Sequence, residues 1–236
     1  PYKITYAFQF FPMALSAAVY PALSAAWRED KARMRWIFER AMRYSVLVAL
    51  PITFGIAALA PEIILTIYGR EFVNSILPLQ ISIFGLIFIF LYFPVGALLN
   101  ATDRQAVNTT FMGLTMAFNI VLNVFLIPKY GAVGASIAAV STNAFLWLGT
   151  MLWAMRTVKP SGYVLRALAK SLVAAYIMFI AVLKLKQMFF WPITIVIGGG
   201  IYIALLYAFR AIAREDLQVF IKLFRKKSLP TDVDIA

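Results

Sequence analysis

Amides and hydroxyls fall on narrow faces of otherwise apolar segments in this chain, and these are the groups able to do chemistry. At about 100° per residue, Thr5, Gln9 and Ser16 share one arc, with Pro12 among them. Asn108, Thr115, Asn119 and Asn123 form a second stripe, and Ser136, Asn143 and Thr150 a third that recurs every seven residues. Polar side chains avoid lipid, so each stripe faces a bundle interior or a wet cavity. The chemistry on offer is hydrogen bonding. It either ties helix to helix or lines a path for a polar ligand.

Covalent and redox chemistry has little support. The chain has no cysteine and no histidine, which removes disulfides, Cys/His metal sites, thiol nucleophiles and imidazole acid–base catalysis. There is no HExxH, no P-loop, no GxSxG and no pair of intramembrane carboxylates, and Gly198–Gly200 lies inside an apolar run. We expect neither an enzyme nor a bound cofactor or metal. Glu62 follows Pro61 and reads as a first-turn carboxylate favoured by the helix dipole, rather than as an ion-coupling group. Arg70 and Glu71 read as a solvated pair, and Asp103 with Arg104, just after Asn100, as a latch between helices.

The elements that position these residues must be membrane helices. The chain is 63% hydrophobic with a mean hydropathy of +0.84, against roughly 45–50% apolar residues in soluble domains. A bilayer-spanning helix needs about 20 mostly apolar residues. Seven segments qualify: 2–26, 44–60, 77–99, 107–127, 133–155, 164–185 and 189–213. Between the second and third, 61–68 reads as a short interfacial helix closed by Gly69. The stretch 119–139 predicts a tight hairpin: an apolar helix ending at Pro128, a turn through Lys129, Tyr130 and Gly131, then a helix of small residues. Pro12 and Pro51 read either as packing kinks or as bends that line a cavity and flex.

Charge gives an orientation. Residues 27–43 hold six Lys or Arg, 156–170 four and the C-terminal segment six, while the opposite loops hold only Lys3, Arg70, Lys129, Lys184 and Lys186. The basic side is cytoplasmic by the positive-inside rule, which puts the N-terminus outside and the C-terminus inside. The net charge of +12 is therefore topology and attraction to membrane lipids, with no nucleic acid implied. Three regions result: five spans over 1–158, two further spans over 159–213, and a basic tail, 214–236, whose 217–227 portion is amphipathic.

Four segments in order resemble one family: YKITYAFQFFPMALSAAVYPALS at 2–24, LAPEIILTIYGREF at 59–72, LLNATDR at 98–104 and NIVLNVFLIPKYGAVGASIAA at 119–139. Together they resemble the C-terminal half of polysaccharide flippases in the multidrug/oligosaccharidyl-lipid/polysaccharide exporter superfamily. The resemblance is good over 2–155 and beyond that consists only of two hydrophobic spans.

It implies an all-α polytopic bundle equivalent to the C-terminal lobe of a fourteen-helix transporter, with Pro1 leading straight into a span and the N-terminal lobe and seventh helix missing. It implies export of a polyprenyl-pyrophosphate-linked oligosaccharide across the cytoplasmic (inner) membrane by alternating access. Partners would be that glycan lipid, membrane lipids and the missing lobe. Thr5, Gln9 and Ser16 would lie near the headgroup, with Asn119, Asn123 and Asn143 along the path. Pro12, Pro51, Asn100 and Arg104 would serve gating, and the last two spans would offer an apolar surface to the tail. Lys3, the only basic residue of the first span, points away from the Gln9 face, so cations for a pyrophosphate must come from the missing lobe, or the substrate differs. A drug or metabolite antiporter would need a coupling carboxylate, for which Glu62 is poorly placed. A membrane polymerase or transferase would need long catalytic loops.

Overall fold

Asp30 makes the first corner. Its backbone is extended, and its side chain accepts hydrogen bonds from the N–H groups of Ala32 at 2.8 Å and Arg33 at 3.1 Å. One residue thus ends α1 (Phe10–Glu29) and caps α2 (Lys31–Ile67). The computed structural model describes residues 5, 7–159 and 161–211. The basic tail and its amphipathic stretch lie outside the described residues, as do Lys3 and most of the first segment's opening.

The stretch 27–43, expected as a loop, is helical on both sides of Asp30. Met34, Phe38, Ala41 and Met42 bury one face while Lys31, Arg33 and Arg35 stay exposed, the pattern of an amphipathic surface helix. At about 1.5 Å per residue α2 is about 55 Å long, so its basic end extends past a hydrocarbon core of about 30 Å.

Pro61 does not restart a helix either, because α2 runs through both Pro51 and Pro61. A proline lacks the N–H that would bond the carbonyl four residues earlier, leaving Leu47 and Ala57 without helical partners. The Tyr202 hydroxyl donates to the Leu47 carbonyl at 3.1 Å, and the Gln80 amide donates to the Ala57 carbonyl at 3.2 Å. Neighbouring helices satisfy what the prolines free, so the helix persists. Its end is as expected: Ile67 is its last residue and Gly69 takes φ +89°, a left-handed value suited to glycine.

After a 3-10 turn at Arg70–Ser75, the third span is broken rather than straight. Helix α3 (Ile76–Ser82) and α4 (Gly85–Ala101) meet at a bend of 40°. A Cβ on Gly85 would lie 3.0 Å from Asn143 Nδ2 and 3.6 Å from Val140 Cα, so another backbone presses close to the break. That backbone belongs to α5 (Gln105–Ala154), two helical arms folded at Gly131, which has φ 54° and ψ −129°. Pro128 does not end the first arm; the reversal falls at Gly131 alone. The arms are antiparallel and close: Phe118 stacks near Phe145 with centroids 4.8 Å apart, and a Cβ on Gly134 would sit 2.2 Å from the Leu126 carbonyl oxygen.

Helices α6 (Gly162–Leu185) and α7 (Trp191–Ala208) complete an all-helical fold among the described residues. Among the described residues five helices are long and apolar enough to cross a membrane, six with the bent pair as one span. The fold-back at Gly131 makes α5 two spans, giving the seven expected. Helix α2 is central, with α1, α3, α4, α6 and α7 packed on it and Phe38, Leu50 and Leu59 fully buried. The hairpin packs on α3 and α4 and exposes Met116, Val124 and Phe125.

Candidate functional site

Two concavities adjoin the N-terminal segment, one polar and one apolar. The polar cleft, about 560 Å³, is lined by Ser16 and Tyr20 of α1, Tyr92, Phe93 and Asn100 of α4, and Asn108 of α5. Ser16 and Tyr20 lie one turn apart on α1, and Tyr92, Gly96 and Asn100 repeat every four residues on α4, so each helix presents a single face. The Tyr92 ring lies beside Gly96, at an ordinary contact distance of 3.5 Å from where a Cβ would stand.

A chain of hydrogen bonds fixes these groups. Tyr92 Oη donates to Asn108 Oδ1 at 3.1 Å, and Asn108 Nδ2 donates to Asn100 Oδ1 at 3.4 Å. Ser16 Oγ donates to the Phe93 carbonyl at 3.2 Å, tying α1 to α4. The lining thus sets amides, hydroxyls and aromatic rings among Met13, Ala17 and Ala97, with no ionic group among the described residues. That surface suits a neutral, hydroxyl-rich ligand, and the volume is in the usual range for small-ligand sites.

The apolar groove, about 270 Å³, lies between α2, α6 and α7. Its walls include Pro51, Ile56 and Leu59 of α2, Val182 of α6 and Gly199 of α7, with Phe8 at one side. A Cβ on Gly198 would meet Val182 Cγ2 at 2.7 Å, whereas one on Gly199 would meet nothing within 4 Å. Gly198 is therefore packed and Gly199 borders open space.

The residues singled out from the sequence divide between these places and the helix contacts. Ser16 and Asn100 meet in the cleft, and Pro51 lines the groove. Gln9 is half-buried just before α1, Pro12 is buried in α1, and Thr5 is buried with no hydrogen-bond partner among the described residues. Asn119 Nδ2 donates to Thr142 Oγ1 at 3.0 Å and ties the hairpin arms together, while Asn123 Nδ2 donates to Asn119 Oδ1 at 2.8 Å along the first arm. Asn143 abuts the break at Gly85. Arg104 donates to the Thr157 hydroxyl, joining the α4–α5 corner to the end of the hairpin.

Three features escaped the sequence reading. Tyr92 organises the cleft, and only its four-residue spacing from Asn100 hints at it. Arg43, expected in a loop, is buried, with its guanidinium donating to the Tyr163 hydroxyl and the Ala211 carbonyl. Glu62, expected in a first helical turn, lies well inside α2 because Pro61 fails to break it, and pairs with Lys186 at 3.0 Å.

A family model described as polysaccharide biosynthesis protein matches residues 2–77. The probable low-salt glycan biosynthesis flippase Agl15 of Haloferax volcanii is 24% identical over 139 residues, covering 58% of this chain and 29% of its own length. The probable flippase AglR of the same organism is 29% identical over 157 residues, covering 64% and 32%. The inward closed conformation of the lipid II flippase MurJ superposes with a TM-score of 0.71 at 18% identity, covering 87% of this chain and 45% of that one. The chain is similar to flippases of the polysaccharide type, with the family match falling on residues 2–77. The chain matches less than a third of the length of those two curated relatives. Its likeness to MurJ carries the fold: a multi-pass bundle of the same helical architecture.

Proposed function

We propose that this chain forms the C-terminal lobe of a flippase that moves a polyprenyl-pyrophosphate-linked oligosaccharide across the cytoplasmic membrane by alternating access. The observation that carries the proposal is the pairing of a polar cleft with an apolar groove beside one N-terminal segment, Ser16 lining the first and Phe8 the second. A lipid-linked glycan is an amphiphile of that kind. Tyr92, Asn100 and Asn108 would meet sugar hydroxyls, and the walls from Pro51 to Gly199 would meet isoprenoid carbons. The neutral lining leaves the pyrophosphate to cations of the N-terminal lobe. The basic end of α2 would face the cytoplasm, with this chain's first span entering from outside.

The antiporter reading would draw on Glu62 in this chain, and Lys186 engages that carboxylate. The test is flipping of a fluorescent polyprenyl-pyrophosphate oligosaccharide by the full-length protein in liposomes. Translocation that falls on Asn108→Leu supports the assignment. Translocation of cationic drugs but no glycan lipid would replace it with the antiporter.

A further inference from the structure

Lys186 stands one helical turn beyond Val182, a groove-lining residue of α6, and its partner Glu62 stands between the groove-lining Leu59 and Ile63 of α2. The ammonium donates to Glu62 Oε2 at 3.3 Å and to the Ala58 carbonyl at 3.0 Å, and it lies 3.0 Å from Glu62 Oε1 as an ion pair. Both side chains are largely withdrawn from solvent, at 17% and 28% exposure, so the attraction is screened less than at an open surface. The two helices that this pair joins are two of the three groove walls.

We propose that Glu62 and Lys186 form a clasp that sets how far the groove opens to the polyprenyl tail. The inference rests on the groove being the tail site. The remaining ties of α6 and α7 to α2 lie elsewhere. Glu39 accepts from the Ser161 N–H at 2.9 Å, Arg43 holds Tyr163 and the Ala211 carbonyl, and Tyr202 holds Leu47. Those polar contacts fasten the end of the α6–α7 pair that carries the α6 N-terminus; near the α6–α7 turn the clasp is the polar tie among the described residues, beside the apolar packing of Val182 against α2. Releasing it lets that end swing away from α2 with the far end still anchored. Gly198 packed on Val182 keeps α6 and α7 moving together.

The experiment uses the full-length protein in nanodiscs and a photoreactive polyprenyl phosphate, with the rate of groove labelling as the readout. Lys186→Met and Glu62→Gln are expected to raise the rate severalfold, and the exchanged pair Glu62→Lys with Lys186→Glu to restore it. The chain has no cysteine. In a full-length background with any cysteine outside this chain replaced, Glu62→Cys with Lys186→Cys can be joined by a short thiol crosslinker, which should suppress labelling until cleaved. Gly199→Trp fills the groove and separates the two readings. If it abolishes labelling while the clasp variants and the crosslink change nothing, the clasp is overturned and the tail site stands. If labelling survives Gly199→Trp unchanged, the tail site itself is wrong and the clasp falls with it.

Discussion

The phenolic oxygen of Tyr202 lies 3.1 Å from the carbonyl oxygen of Leu47, the acceptor that Pro51 deprives of its helical N–H. A side chain from the last described span thus completes the backbone of the central one. A hydrogen bond between membrane helices contributes about 0.6 kcal/mol on average and up to about 1.7. Tyr202→Phe should cost an amount in that range, and the cost should vanish when Pro51→Ala returns an N–H to Leu47. Unfolding titrations of the four members of this double-mutant cycle check the coupling. Equal costs of Tyr202→Phe in both backgrounds would show that the hydroxyl acts some other way.

Helix content and the number of spans were legible because about 20 consecutive apolar residues have few other uses. The breaks were misread wherever tertiary partners overrode a local signal. Pro61 reads as a stop, and only the distant Gln80 amide explains why it is none. Gly85 carries a bend that its neighbours in sequence do not announce, because the pressure comes from Asn143 and Val140. The polar stripes were correctly read as inward-facing but could not be assigned to ligand or neighbour. Asn119 and Asn123 turned to the hairpin, and Asn108 to the cleft. Lys186 reads in the sequence only as one of the few basic residues of the outer side, and folding sets Glu62 beside it.

Hairpin closeness makes a second prediction. Gly134→Ala places a methyl 2.2 Å from the Leu126 carbonyl oxygen, and overpacking of that kind costs about 1–3 kcal/mol. Gly113→Ala, on the same element with nothing within 4 Å, should be neutral or mildly stabilising. Thermal stability of the two variants in one detergent checks the contrast.

The corner at Asp30 is a third. Asp30→Ala leaves the N–H groups of Ala32 and Arg33 without their acceptor, for a cost of about 1 kcal/mol. Asp30→Asn keeps an acceptor and should lose much less. Hydrogen exchange at the first turn of α2 measures both, with faster exchange expected only in the alanine variant.

In the cleft, Tyr92→Phe removes the donor to Asn108 while keeping the ring beside Gly96. Transport should fall while melting stays close to the parent protein. Asn108→Leu removes two links of the same chain and should reduce transport further. A fall in melting temperature that tracks the fall in transport would mark the network as structural only.

The central claim, a lipid-linked glycan carrier with its headgroup path at Ser16, Asn100 and Asn108, is met most directly by complementation. The full-length gene is placed in a strain lacking its own polysaccharide flippase, intact and then with Asn108→Leu, and surface polysaccharide is measured at matched protein levels. We predict restoration by the intact gene and loss with the variant. Full surface polysaccharide with Asn108→Leu would remove the cleft from the path, and no restoration by the well-expressed intact protein would contradict its assignment as a carrier of that strain's glycan.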